Sequence, residues 1–174
     1  MNDKRKAFEL FVNPVFIETG SWKGDGIQKA LDCGYGKVIS IELHINLYTH
    51  CLERFKDDKR VALVHGDSLE VLPTILQGID QKCTFFLDAH YGDRHTGRGR
   101  KDCPVIEELK AIEEHTKRTG IVHDILIDDM RLFRKTHQNV ALDDIIKAVK
   151  NIYNYYISYT DGYRERDILV ATKK

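Results

Sequence analysis

The sequence predicts an α/β fold in which a mostly parallel, doubly wound sheet ends in an antiparallel hairpin. Short apolar runs alternate with amphipathic, helix-like segments along almost the whole chain. Glycine or acidic residues follow several of the apolar runs, and only a short turn separates the last two runs. Alternation at this spacing is typical of βαβ units, whose right-handed crossovers place helices on both faces of a parallel sheet.

Seven segments have the composition of β-strands. They cover residues 15–17, 37–43, 61–64, 84–87, 121–127, 155–159 and 167–171. Helix-like segments separate the first five, which predicts parallel pairing in a Rossmann-like sheet. The turn Asp161-Gly162-Tyr163-Arg164 joins the last two segments and predicts an antiparallel hairpin.

Five segments between these strands have helical patterns. They cover residues 24–31 and 44–55, a helix that Ser68 would cap, a helix that begins near Pro104, and residues 141–152. The sequence shows no linker, repeat or low-complexity tract, so we expect one domain over residues 1–174.

Composition and charge narrow the class of function. The 27 basic and 27 acidic residues cancel, so the chain has no general electrostatic reason to bind nucleic acid or an anionic membrane. No apolar run has the length of a membrane span, and none follows the charged N-terminal residues as in a signal peptide. We therefore expect a cytoplasmic protein that binds neither nucleic acid nor a membrane. The sequence leaves its oligomeric state open.

The cysteines and most of the histidines are scattered rather than clustered at metal-ligand spacings. Without a C-x-x-C pair, the four cysteines are expected to be reduced thiols. Most of six histidines are expected at the surface: His44, His50, His65, His115, His123 and His137.

A glycine-rich turn follows the first strand, with the sequence E-T-G-S-W-K-G-D-G over residues 18–26. Glycines allow the backbone to approach a ligand closely, and the next helix offers free N–H groups at its start. The G-x-x-x-G spacing departs from the dinucleotide pattern G-x-G-x-x-G. On its own this turn is also compatible with a packing role.

Carboxylates follow the next three strands. Glu42 lies 22 residues after Gly20, where an acidic side chain can accept both hydroxyls of a ribose. Asp67 and its neighbour Ser68 follow the third strand, and Asp88 follows the fourth. Any one of these side chains alone would be a helix cap or a surface charge. Together they place polar groups along one edge of the sheet.

The motifs E-T-G-x-x-x-G, V-I-S-I-E, H-G-D-S and F-F-L-D resemble those of the class I S-adenosylmethionine-dependent methyltransferases. The resemblance covers nearly the whole chain and includes the final hairpin. It implies that Glu42 holds the ribose and that Asp67 and Ser68 meet the adenine. The other cofactor-binding residues it implies are Glu18, Thr19, Gly20, Ser21, Gly24 and Asp88.

A second acidic group follows the fifth strand, where Asp128 and Asp129 are adjacent. In the expected sheet they converge with Asp88, and three carboxylates suit Mg²⁺ or a similar divalent cation. This pattern is similar to that of metal-dependent O-methyltransferases of the catechol and macrolide-sugar types. The catechol type has a lysine base where this chain has Tyr91. Alternatively, Asp128 caps a turn and Asp129 pairs in solvent with Arg131 or Arg134.

The loop over residues 89–102 is long, polar and basic, so it is a candidate lid over the acceptor. Tyr91, Arg94, His95 and Arg131 are the candidate substrate contacts, since basic side chains can hold a phosphate or an acidic sugar. The alternative is a solvated loop whose charges have no role.

His90 is the candidate general base. In an extended segment it points to the same side as Asp88, and a neutral imidazole can accept a hydroxyl proton. The alternative is that His90 anchors the loop through a hydrogen bond.

These observations predict an O-methyltransferase that acts on a hydroxyl of a sugar, a glycan or another small polar acceptor. The segments L-D-A-H-Y and I-D-D-x-R-L-F also resemble those of compact methyltransferases found among glycan-modifying genes. Two alternatives remain. One is a methyltransferase of nucleic acid or protein, and the other is a non-catalytic domain that binds an adenosine nucleotide.

Overall fold

The protein is built around one seven-stranded sheet. The computed structural model describes residues 4–92, 97–133 and 137–173. The strands are β1 (Val15–Thr19), β2 (Lys37–Glu42), β3 (Val61–His65), β4 (Cys83–Leu87), β5 (Asp124–Ile127), β6 (Tyr155–Thr160) and β7 (Ile168–Lys173). Their spatial order is β3-β2-β1-β4-β5-β7-β6.

The strand order confirms the predicted doubly wound sheet. β1 to β5 pair in parallel, and β7 pairs antiparallel with both β5 and β6. The order reverses between β1 and β4, which is the switch point where open α/β sheets bind ligands beyond the carboxyl ends of their strands. The polar residues that follow β2 to β5 therefore meet along one edge.

Seven helices accompany the strands in the described ranges. They are α1 (Arg5–Leu10), α2 (Asp25–Asp32), α3 (Ile45–Arg54), α4 (Ser68–Gln77), α5 (Val105–Thr119), α6 (Met130–Phe133) and α7 (Leu142–Ile152). The sequence did not predict α1 or α6. The predicted cap of α4 was wrong by one residue, because Asp67 accepts a hydrogen bond from the Leu69 amide at 3.0 Å while Ser68 already lies in the helix. None of these helices combines the length and apolar character that crossing a membrane requires.

Helix α1 is held on the sheet by aromatic packing. The Phe8 ring is fully buried and lies 4.8 Å from the Phe16 ring and 4.9 Å from the Phe86 ring, between centroids. The Tyr35 hydroxyl donates to the carbonyls of Phe8 and Phe11 at the end of this helix. These contacts fix the first described residues relative to β1 and β4.

A pair of buried histidines connects α5 to the start of β5. His115 Nε2 lies 3.0 Å from the carbonyl oxygen of Ile79, so this nitrogen donates. His115 Nδ1 then accepts from His123 Nε2 at 3.0 Å, and His123 Nδ1 accepts from the Cys83 amide at 3.1 Å. The expectation that most of the histidines lie at the surface is wrong for these two, because together they satisfy buried backbone groups that water does not reach.

This chain of hydrogen bonds requires neutral rings, so acid should destabilise the fold through His123. Burial lowers the pKa of His123 from 6.5 to about 4. Between these pH values the unfolded chain binds more protons than the folded protein, so the free energy of unfolding falls as the pH is lowered. The expected loss is at most roughly 3 kcal/mol.

The measurement is urea unfolding of wild type and His123→Gln at several pH values between 4 and 7. The variant should be less stable at pH 7 and should lose less stability on acidification. His50→Gln, at an exposed position, is the control and should follow wild type. Parallel pH curves for wild type and His123→Gln would contradict this assignment.

Candidate functional site

A cavity of about 490 Å³ lies at the carboxyl ends of the parallel strands. The half beside β2 and β3 is called the nucleoside half and the half beside β4 and β5 the acceptor half, after the groups that each is expected to hold from the sequence. The predicted site residues in the cavity wall are Gly20, Glu42, Asp67, Ser68, Asp88, His90, Tyr91, Asp129 and Arg131. The predicted substrate contacts Arg94 and His95 lie outside the described residues.

Glu42 forms the floor of the nucleoside half. Its side chain is buried, and its two carboxylate oxygens accept the amides of His44 at 2.7 Å and Trp22 at 2.8 Å. Trp22 has a φ of 47° and also lines the cavity, so the turn after β1 depends on this carboxylate for its shape. Two backbone donors hold the Glu42 carboxylate in one orientation at the cavity wall.

Asp67 joins the nucleoside half to the loop that follows β4. One of its oxygens caps α4, and the other accepts the Arg100 amide at 2.9 Å. A Cβ on Gly99 would lie 2.6 Å from Asp67 Oδ2, and one on Gly97 would lie 2.8 Å from Leu43. A side chain at either position would have to displace Asp67 or Leu43. The second described part of the predicted lid, residues 97–102, therefore packs on the nucleoside half, whereas the sequence placed the whole lid over the acceptor.

Four of the predicted cofactor residues lie behind the cavity wall rather than in it. The Glu18 carboxylate accepts the Ser40 hydroxyl at 2.6 Å, and the Ser21 and Ser40 hydroxyls are 2.5 Å apart. Gly24 has a φ of 84° and packs against Phe55. These residues, together with Thr19, build the turn that positions Gly20 and Trp22. Their predicted contact with a cofactor stays a prediction.

His90 is the central group of the acceptor half. Its Nε2 lies 3.2 Å from Asp129 Oδ2, and its Nδ1 lies 3.8 Å from Asp88 Oδ1. The structure thus brings His90 and Asp88 to the same cavity, as the alternation of an extended segment predicts. Burial lowers the pKa of His90, and the nearby Asp129 carboxylate only partly opposes this. A neutral imidazole beside a carboxylate is an arrangement that can accept a proton.

Lys4 enters the acceptor half from the N-terminal side of α1, and the sequence did not indicate it. Its ammonium nitrogen lies 3.0 Å from Asp88 Oδ2 and contacts Asp128 Oδ2. Burial alone would lower the pKa of Lys4, but the two carboxylates outweigh it and the pKa is raised. Lys4 therefore stays charged between the ends of β4 and β5.

Arg131 neutralises the other carboxylates of this half. Its guanidinium group contacts both Asp129 and Asp167, and its amide donates to Asp167 at 2.9 Å. The Tyr163 ring, with its centroid 5.2 Å from the guanidinium carbon, covers it at the cavity wall. The pairing of Asp129 with Arg131 is the alternative left open above, except that it lies in the cavity wall and not in bulk solvent.

The three carboxylates predicted to bind a divalent cation do not fit that role in this arrangement. Asp88 and Asp128 hold the Lys4 ammonium between them, and Asp129 is paired with Arg131. Possible ligand atoms do lie within 4.8 Å of one another in two groups, one of Asp88, His90 and Asp129 and the other of Asp128, Asp129 and Asp167. A magnesium ion demands near-ideal octahedral oxygen ligands, and here two of the predicted ligands already bind an ammonium group.

Glu108 is a fully buried carboxyl group beneath the nucleoside half. It lies on the buried face of α5, beside the hydroxyls of Ser68 and Thr19. Burial raises the pKa of Glu108 to about 7, although these hydroxyls favour the charged form. The sequence contains a pattern that could have indicated this buried carboxyl group, because Glu108 interrupts the apolar face that Val105, Leu109 and Ile112 form.

Solved structures resemble this chain in fold. No protein-family model matches the sequence, and no curated protein matches it. A candidate rRNA methylase from Clostridium thermocellum is 12% identical, with a TM-score of 0.67 over 97% of this chain and 93% of its own. An S-adenosylhomocysteine-bound methyltransferase from Podospora anserina is also 12% identical, with a TM-score of 0.63 over 98% and 74%.

A third structure comes from Streptomyces achromogenes. It is the O-methyltransferase of tomaymycin synthesis in complex with S-adenosylmethionine, 14% identical, with a TM-score of 0.61 over 96% of this chain and 75% of its own. At these identities the likeness shows the fold, which is that of the Rossmann-like methyltransferases.

The buried carboxyl group of Glu108 should make the protein less stable as the pH rises. Between pH 4.5 and about 7 the folded protein binds more protons at Glu108 than the unfolded chain does, so the free energy of unfolding falls with rising pH. Glu108→Gln removes this ionisation. It should be more stable than wild type at pH 8 by at most roughly 3 kcal/mol, and close to wild type at pH 4.5.

The difference is measured by urea unfolding at both pH values. Glu114→Gln, at an exposed position of the same helix, is the control and should show no such difference. If Glu108→Gln were less stable than wild type at pH 8, the carboxylate would be a favourable native partner and the assignment would fail.

Proposed function

We propose that this protein is an S-adenosylmethionine-dependent methyltransferase that transfers the methyl group to a hydroxyl of a small polar acceptor. One observation carries the proposal. One cavity joins a half whose carboxylates suit a nucleoside to a half in which a half-buried imidazole lies beside two carboxylates. The structural neighbours bound to S-adenosylmethionine or S-adenosylhomocysteine support the choice of cofactor.

The nucleoside half has the groups that adenosine requires. Each oxygen of the Glu42 carboxylate uses one lone pair for a backbone amide and retains another for a ribose hydroxyl. Asp67 and Ser68 follow β3 and offer acceptors and a hydroxyl for the adenine edge. A Cβ on Gly20 would lie 2.9 Å from the Asp88 carbonyl oxygen, so glycine lets the turn after β1 pack directly against the end of β4 at the cavity wall.

The acceptor half has the groups that methyl transfer to a hydroxyl requires. The reaction is an in-line displacement, in which the acceptor oxygen attacks the sulfonium methyl and S-adenosylhomocysteine leaves. The proton of the acceptor passes to the His90 ring, and Asp129 at 3.2 Å stabilises the resulting imidazolium. The nitrogen that accepts the proton is Nδ1, which lies 3.8 Å from Asp88 Oδ1, because Nε2 already donates to Asp129.

A sugar or glycan is the acceptor that the wall of this half favours. Tyr91, Asp129 and Arg131 present a phenol, a carboxylate and a guanidinium group, which pair with hydroxyls and with acidic sugars. A nucleic-acid acceptor is not favoured by the net charge of zero. The likeness to a candidate rRNA methylase concerns the fold only. An assay with different acceptors decides between a sugar and a nucleic acid.

The cofactor assignment predicts that Glu42→Ala loses affinity for S-adenosylhomocysteine. Loss of a carboxylate that accepts two ribose hydroxyls should weaken binding by roughly 10- to 100-fold. Isothermal titration calorimetry measures this, and circular dichroism checks that the turn at Trp22 remains folded.

Glu53→Ala is the control, since Glu53 is exposed on α3 and should not affect binding. Unchanged affinity in folded Glu42→Ala would exclude the ribose assignment. Binding of NAD in place of S-adenosylhomocysteine would exclude the proposed function.

The base assignment predicts that His90→Ala and His90→Gln turn over roughly 10² to 10⁴ times more slowly. Neither variant should change cofactor affinity, because His90 lies in the acceptor half. The measurement is transfer of labelled methyl from S-adenosylmethionine to a panel of oligosaccharides, with RNA and protein acceptors included. His50→Ala is the exposed control. If His90→Gln bound the cofactor and kept nearly normal turnover, His90 would have no catalytic role.

A further inference from the structure

We propose that Lys4 takes the place of a divalent cation at the strand ends, where its ammonium group neutralises Asp88 and Asp128 and donates its remaining N–H to the acceptor oxygen. Methyl transfer then needs no metal ion. The contact with the acceptor rests on the proposed function, whereas the exclusion of a metal ion does not.

The position of Lys4 is the position where a bridging cation would lie. Leu87 pairs with Ile127 in the sheet, so Asp88 and Asp128 leave β4 and β5 at the same level. The Lys4 ammonium contacts one carboxylate oxygen of each. The Asp128 side chain is fully buried, and a buried carboxylate is costly without a counter-charge. A metal ion could reach both carboxylates only by displacing the ammonium group.

The packing of α1 keeps Lys4 in this position. Lys4 is the residue that precedes α1, and Phe8 anchors that helix between the rings of Phe16 and Phe86. The ammonium nitrogen also lies 5.0 Å from the centroid of the Phe86 ring, where the negative ring face attracts a cation. The Lys4 side chain is only 26% exposed. It is therefore part of the cavity wall and not a mobile surface lysine.

An ammonium group has a different chemical effect from a divalent ion. It has three N–H donors, of which two face Asp88 and Asp128, and the cavity wall includes Lys4. The third donor can hold one acceptor oxygen and stabilise the negative charge that develops as the proton leaves for His90. Lys4 keeps its own proton throughout. A single donor does not require two vicinal hydroxyls, so the site should accept an isolated hydroxyl.

Binding of Mn²⁺ tests the exclusion without any enzymatic assay. Electron paramagnetic resonance of free Mn²⁺ is recorded with wild type, Lys4→Ala, Lys4→Arg and Lys6→Ala. Wild type, Lys4→Arg and the exposed control Lys6→Ala should bind weakly, and Lys4→Ala should bind roughly tenfold tighter or more, because Asp88 and Asp128 lose their counter-charge. If Lys4→Ala does not fold, Lys4→Gln, which keeps part of the aliphatic stem, replaces it.

Turnover tests the second part of the proposal. Wild type should keep full activity after exhaustive EDTA treatment, and Lys4→Ala should turn over roughly 10² times more slowly with unchanged cofactor affinity. Loss of wild-type activity in EDTA, or equal Mn²⁺ affinity in wild type and Lys4→Ala, would overturn the proposal. If no acceptor is methylated at all, the proposed function fails, while the Mn²⁺ titration still decides whether Lys4 excludes a metal ion.

Discussion

The register between β4 and β5 brings the carboxylates of Asp88 and Asp128 together, and the candidate site depends on how their negative charge is neutralised. Asp88 and Asp128 follow paired residues, so the sheet holds their backbones side by side. Like charges at this distance destabilise each other unless a cation lies between them. Lys4 provides that cation, and its position depends in turn on the packing of Phe8 against the sheet. One ionic contact thus connects the first helix, the centre of the sheet and the cavity.

The two halves of the cavity hold their carboxylates in different ways. In the nucleoside half, Glu42 and Asp67 are bound by backbone amides, which cannot move unless a turn or a helix end changes. In the acceptor half, Asp88 and Asp129 are bound by side chains, namely Lys4, Arg131 and His90. In the proposed reaction, backbone donors suit the half that only binds, whereas side-chain partners can respond to the proton that moves.

The sequence predicted what depends on periodicity and topology, and it missed what depends on tertiary packing. The adjacency of β4 and β5 follows from right-handed crossovers, so the approach of Asp88 to Asp128 was predictable. The contact of Lys4 with Asp88 was not predictable, because the two residues are 84 positions apart and Lys4 lies in a charged segment that resembles a solvated chain. The contact of His115 with His123 was missed for the same reason: it depends on how α5 packs against the sheet.

The described residues of the loop that follows β4 line both halves of the cavity. Its glycines lie so close to Leu43 and Asp67 that side chains there would displace them, and the Arg100 amide donates to Asp67 Oδ2. An adenine amino group that bonds to Asp67 Oδ2 must share that oxygen with the loop or displace it. The same loop carries Tyr91 in the acceptor half, where the Tyr91 carbonyl accepts a hydrogen bond from the side-chain amide of Gln138 at 2.7 Å. If adenine binds as proposed, occupancy of the nucleoside half would therefore change a contact of the loop that also lines the acceptor half.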